Sequence, residues 1–221
     1  MASIEVDINR GASLYHVLNE LHVTHKCCGH ENILGCKRTV QNQKILVSFE
    51  SAKSVSSFSL FKQGCRKEEY VSYVIRGTLE ALQCIHSRGN RVHGNINLNT
   101  VFLDKDCIVK LGFPARINNP DLEYTKKKEI DLDMKKIDFE MVGELACSLY
   151  HGKSGEKKML LPVLLQDFVK LSSERPTISQ LMEHGFLKEF NKFDKYQEDL
   201  KKLLGRKLLG KHRKFYCLWF S

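Results

Sequence analysis

Residues 68–89, EEYVSYVIRGTLEALQCIHSRG, limit what this chain can fold into more than any other stretch. Val71, Val74, Ile75, Leu79, Leu82 and Ile85 recur at helical steps and so share one face of an α-helix. Glu68 and Glu69 suit the positive end of the helix dipole, and Gly89 follows the last turn. TVFLDKDCIVKLGF, 100–113, comes soon after and reads as two short strands around the turn Asp104-Lys105-Asp106. A dominant helix leading into a small hairpin implies an α+β fold, mostly α.

The remaining segments fit that class. SLYHVLNELHVTHK, 13–26, places Leu14, Val17, Leu18 and Leu21 on one helical face, and Gly29 ends it. CKRTVQ (36–41) and KILVSFE (44–50) flank Asn42-Gln43 and predict a two-stranded hairpin. Such a hairpin has unpaired edges and an apolar face around Ile45 and Val47, to be covered by the N-terminal residues or by another protein. Ser51–Gly64 is polar, with one or two helical turns in VSSFSLF. The charged stretch 118–136 reads as a loop. Helices are predicted over 137–152, Leu160–Leu171 and Pro176–Glu183, and a basic amphipathic helix over 191–214.

Composition narrows the function classes. The 221 residues are 42% hydrophobic and 28% charged, as in a soluble globular protein with a substantial core. No apolar run reaches the ~18 residues of a membrane span. MASIEVDINRG lacks the apolar core of a secretory signal, and Ala2 stands where myristoylation needs glycine. The eight cysteines are scattered, so free thiols in a reducing compartment are expected, cytoplasm or nucleus. Of the net charge of +9, residues 191–221 supply +6, with nine Lys and Arg against Asp194, Glu198 and Asp199. The basic character belongs to the tail, so no nucleic-acid partner is expected for the body.

The order of elements and several short motifs resemble a serine/threonine protein kinase, most of all its sterile-twenty-like branch, truncated at the N-terminus. NELHVTHKCCGHENILG is similar to the family's αC helix and following loop, with Glu20 at the αC glutamate and His30 to Ile33 like H-x-N-I. CIHSRG resembles the L-H-S-x-G close of the helix before the catalytic loop. VHGNINLNTVFL resembles the catalytic loop H-R-D-x-K-x-x-N-[IV]-L-L, and VKLGF the approach to D-F-G. Asp138 with Gly143 is similar to D-x-W-S-x-G, and SSERPTISQLMEHGFL to E-R-P-T-x-x-x-L-L-x-H-P-F-L. The resemblance spans about residues 13–190 and implies a residual N-lobe over 1–50 (αC plus two strands), a helical C-lobe over 51–190, and a basic tail over 191–221.

That resemblance implies a framework without its chemistry. Phosphoryl transfer needs positioned charges and metal ions. Asn95 stands where the family has its loop aspartate, and an amide gives no general-base assistance, usually worth roughly 10²–10⁴-fold. Asn97 replaces the loop lysine, Thr100 the metal-binding asparagine, and Gly112 the D-F-G aspartate. Gly94 replaces the arginine beside the loop histidine. The glycine-rich loop, the strand lysine that pairs with Glu20, the A-P-E motif and the αG docking region are all missing. What the resemblance keeps is structural: Glu20, His93 and Phe113 as hydrophobic-spine or αC positions, Asp138 as the carboxylate under the loop, and Arg175. With A-P-E gone, Arg175 is expected to find a local acid such as Glu140 or Glu144, or to lie exposed. A pseudokinase is implied: a regulator or scaffold in kinase signalling, not an enzyme, with no ATP or magnesium bound and a protein kinase or kinase scaffold as partner.

Other readings stay open. Residual kinase activity with bound nucleotide is one, with Phe102 under an adenine; its plain alternative is a core aromatic. A basic tail carrying Phe215, Tyr216, Trp219 and Phe220 fits an anionic membrane or calmodulin, or a helix packed on the domain's own flank. A decayed gene copy without a settled role is the third. His22, His25, Cys27, Cys28 and His30 are zinc-ligand types, but no second ligand pair follows them.

Overall fold

The computed structural model describes residues 3–7, 25–27, 29–41, 44–112, 132–152 and 160–208. The first sheet holds β1 (Ser3–Asp7), β2 (Cys36–Gln41) and β3 (Lys44–Phe49), antiparallel in the order β1-β3-β2. The expected hairpin is β2–β3, but it is not alone. Ile4 pairs with Val47 and Val6 with Ile45, so the N-terminal residues take the second edge of β3. SIEVD alternates polar and apolar residues over five positions, the pattern of a half-buried strand.

The second sheet runs β4 (Ala52–Ser54), β5 (Val101–Asp104) and β6 (Val109–Leu111) in that order. β5 and β6 are the expected pair, and β4 comes from the polar stretch just before the helical turns of VSSFSLF. Asp104 Oδ1 accepts the amides of Asp106 and Ile108, both at 2.9 Å, and closes the turn between them. On the far side of β6, Ile33 forms a parallel bridge with Leu111. The Leu111 amide reaches Asn32 O at 2.7 Å, and the Asn32 side-chain amide reaches Val109 O at 3.0 Å.

Helices make up most of the described structure. α1 is Ser59–Lys62, α2 Glu68–Cys84, α3 Leu132–His151, α4 Val163–Ser173, α5 Ile178–Met182, α6 Gly185–Glu189 and α7 Phe193–Leu208. α2 is the central element. Val71, Val74, Ile75, Leu79 and Leu82 have no exposed surface, and each such side chain contributes roughly 1.5–3 kcal/mol by burial. α2 ends in a wider π turn, Ile85–Gly89, that turns the chain toward the next loop. α3 packs on α2, and its Phe139, Val142, Leu145 and Leu149 lie in the common core.

α3 starts at Leu132, inside the stretch expected to be a loop, so the helix is about a turn longer than its apolar pattern implied. Thr177 caps α5 by accepting the Gln180 amide at 3.2 Å, while the Gln180 side chain accepts the Thr177 amide at 2.7 Å. The tail helix is α7. Leu200 and Leu204 are buried in the common core, Lys201 Nζ lies 2.8 Å from Asp106 Oδ1, and Arg76 sits 5.4 Å over the Phe193 ring. At least to residue 204, the tail is packed on the domain's own flank. No helix among the described residues is long and apolar enough to cross a membrane.

Candidate functional site

The loop 93–100 between the π turn and β5 is held from below by one carboxylate. Asp138, on α3, has no exposed surface. Its Oδ2 accepts the His93 amide at 2.8 Å and lies 2.7 Å from His86 Nε2, and its Oδ1 accepts the Gly94 amide at 2.7 Å. Burying a carboxylate is costly unless donors surround it, and three do so here. His86 comes from the π turn and stacks edge-on against Phe139, with centroids 5.7 Å apart. One side chain thus ties the end of α2, the loop and α3 together.

His93 fixes the loop from above. Its Nε2 lies 3.0 Å from Gly112 O, and its Nδ1 is 3.3 Å from the Asn95 amide nitrogen. A carbonyl only accepts and an amide N–H only donates, so Nε2 carries the hydrogen and Nδ1 is bare. Burial holds the His93 pKa below the ordinary histidine value and so favours this neutral ring.

Beyond His93 the loop's polar side chains bond with the loop itself. Asn97 Nδ2 donates to Asn95 Oδ1 at 2.6 Å, and Asn97 Oδ1 accepts the Asn99 amide at 2.8 Å. Thr100 Oγ1 donates to Asn95 O at 2.8 Å and accepts the Asn97 amide at 2.9 Å. The positions where the kinase resemblance looks for a base, a phosphate-steadying cation and a metal ligand hold two amides and a hydroxyl. None has useful basicity or charge near neutral pH.

Gly112 closes the arrangement. Its amide donates to Thr100 O at 2.7 Å, while its carbonyl faces His93. A Cβ on residue 112 would lie 2.4 Å from Phe102 Cε2, inside any real contact distance. The Phe102 ring therefore occupies the space that a side chain on residue 112 would need. Phe102 is half-buried and lies against the Gly112 backbone.

The other expected positions fare differently. Glu20 and Phe113 lie outside the described residues. Gly143 allows α4 to approach α3, since a Cβ there would stand 2.2 Å from Ser172 Oγ. Arg175 meets neither Glu140 nor Glu144; its Nη1 lies 3.0 Å from Asp133 Oδ1 at the start of α3, and Lys136 holds Glu140 at 3.2 Å. Asp133 is a local acid other than the two named, and Arg175 is also exposed. With side chains 64% and 67% exposed, that pair is worth about 0–1 kcal/mol.

Of the zinc-ligand types, His22 and Cys28 lie outside the described residues. Cys27 is buried with its thiol 3.6 Å from Cys84 O, and burial is the main cause pushing its pKa up to about 12. That disfavours the thiolate a metal needs. His30 Nδ1 instead accepts the Asn32 amide at 3.2 Å. Among the described residues, no three His, Cys, Asp or Glu side chains come together as metal ligands.

Two groups escaped sequence reasoning. His86 lies in the π turn just past α2, seven and four residues after Leu79 and Leu82, and a polar residue in step with that apolar stripe was the available signal for a buried partner. Glu50 joins the two sheets: its Oε1 accepts the Gly35 amide at 2.8 Å and lies 3.3 Å from Lys110 Nζ on β6. No local pattern marks that junction. No protein-family model matches this sequence, and neither does any curated protein.

Proposed function

We propose that the chain is a degenerate protein kinase-like domain that works by binding protein, as a regulator or scaffold in kinase signalling, without phosphotransfer. One observation carries this reading: a buried carboxylate, Asp138, holds the backbone of a loop whose polar side chains, Asn95, Asn97 and Thr100, bond within the loop. The carboxylate under the loop and the histidine at its start are features the kinase resemblance expects of a kept framework. The groups that would take a proton, steady a phosphoryl group or hold a metal have been replaced by amides, a hydroxyl and a glycine. Phe102 against Gly112 adds to this, because it leaves no volume for a carboxylate at that position.

The purified full chain is expected to transfer no radiolabelled phosphate from ATP to itself or to a generic substrate, with magnesium or manganese. It is expected to capture a protein kinase or a kinase-associated scaffold from cells. Phosphotransfer abolished by Asn95→Ala or Thr100→Ala would overturn the non-enzymatic part. Capture that yields neither kinase nor scaffold would overturn the signalling part.

A further inference from the structure

The hydrogen-bond directions around His93 leave the loop open to control by a single proton. The neutral ring donates from Nε2 to Gly112 O and accepts at Nδ1 from the Asn95 amide. Adding a proton to Nδ1 sets two donors, Nδ1–H and N–H of Asn95, against each other at 3.3 Å. The Nε2–H bond survives protonation, so the ring keeps its anchor on Gly112 and residue 95 must move. Asn95 cannot move alone: its carbonyl accepts from Thr100 Oγ1, and its side chain accepts from Asn97. Thr100 in turn accepts the Gly112 amide through its own carbonyl.

The charged and titratable groups around the ring are Asp138 on α3, His86 in the π turn and Arg91 ahead of the loop. Burial lowers the affinity of His93 for a proton most; Asp138 and the Gly112 carbonyl oppose this, and His86 and Arg91 reinforce it. Asp138 does not cancel the burial, being already engaged by the His93 and Gly94 amides and by His86.

We propose that His93 is a proton-operated latch: one proton on Nδ1 unseats residues 94–100 while α2 and α3 stay folded. The latch rests on the loop's geometry alone and stands whether or not the chain is kinase-like. The sign follows from linkage. Between the ordinary histidine value and the lower folded one, the unfolded chain binds a proton that the fold excludes. The stabilisation is therefore complete above about pH 6.5 and is lost as pH falls through the folded value.

The test is NMR on the full chain between about pH 7.5 and 5, following the imidazole nitrogens and amide hydrogen exchange together. At high pH, His93 should show the Nε2–H tautomer. Between about pH 6.5 and the lower folded value of His93, the amides of residues 95–100, corrected for intrinsic exchange, should lose protection by up to about tenfold per pH unit, while those of residues 74–82 hold. His86→Gln, which keeps a donor toward Asp138, should leave that dependence in place. Loop protection that does not change with pH, a protonated ring with the loop still protected, simultaneous loss of protection everywhere, or loss of the effect in His86→Gln each overturns the latch.

Discussion

The base and the rim of the loop 93–100 are neighbours in sequence and opposites in physics. At the base, His93 and Gly94 give their amides to Asp138, which has no exposed surface. At the rim, Asn95, Asn97 and Asn99 bond to one another across a few residues, where water competes. Long-range bonds at the base join α3 to the loop, whereas the rim's bonds only decide the loop's own shape. The difference teaches that a loop can keep its position in a fold while the chemistry at its tip is free to change.

Asp138→Ala breaks the base most severely. It leaves two loop amides and His86 Nε2 without their buried acceptor, so a loss of roughly 3–5 kcal/mol is expected in urea denaturation. Asp138→Asn keeps one acceptor oxygen and should lose clearly less. Equal losses for the two would mean that packing, not hydrogen bonding, gives the site its importance.

Gly112→Asp comes next, at about 1–3 kcal/mol, because its Cβ meets the Phe102 ring. If the collision is the cause, Phe102→Ala combined with Gly112→Asp should lose less than the sum of the single changes, a coupling read from a double-mutant cycle. Strict additivity would break the inference that Phe102 fills that space.

Asn97→Ala tests the rim and should lose only about 0.5–1.5 kcal/mol, with the exchange of the Asn99 amide rising while the base amides stay protected. A loss as large as that of Asp138→Ala would erase the contrast between rim and base.

Much of this site was legible in the residue order. His93, Asn95, Asn97, Thr100 and Gly112 are close in sequence, and their side-chain chemistry follows from their identities alone. The structure brings Asp138 under the loop, 45 residues from His93. Three things were not legible. SIEVD has a strand's alternation, but its pairing with β3 is not written in it. Arg175 finds Asp133 because α3 begins earlier than its apolar pattern declares. Phe102 blocks Gly112 because β5 and β6 pair with Phe102 opposite Lys110, a closeness that neither residue announces.

Helical periodicity in α2, the turn at Asp104 and the absence of basic or charged groups at Asn95, Asn97 and Thr100 are properties of neighbours along the chain. They depend on backbone geometry and functional-group chemistry, which the residues carry with them into any fold. The tautomer of His93, the burial of Asp138 and the filling of the space beside Gly112 were decided only by tertiary structure. Each depends on which donor, acceptor or ring arrives from a distant element, and on how much water is excluded when it does.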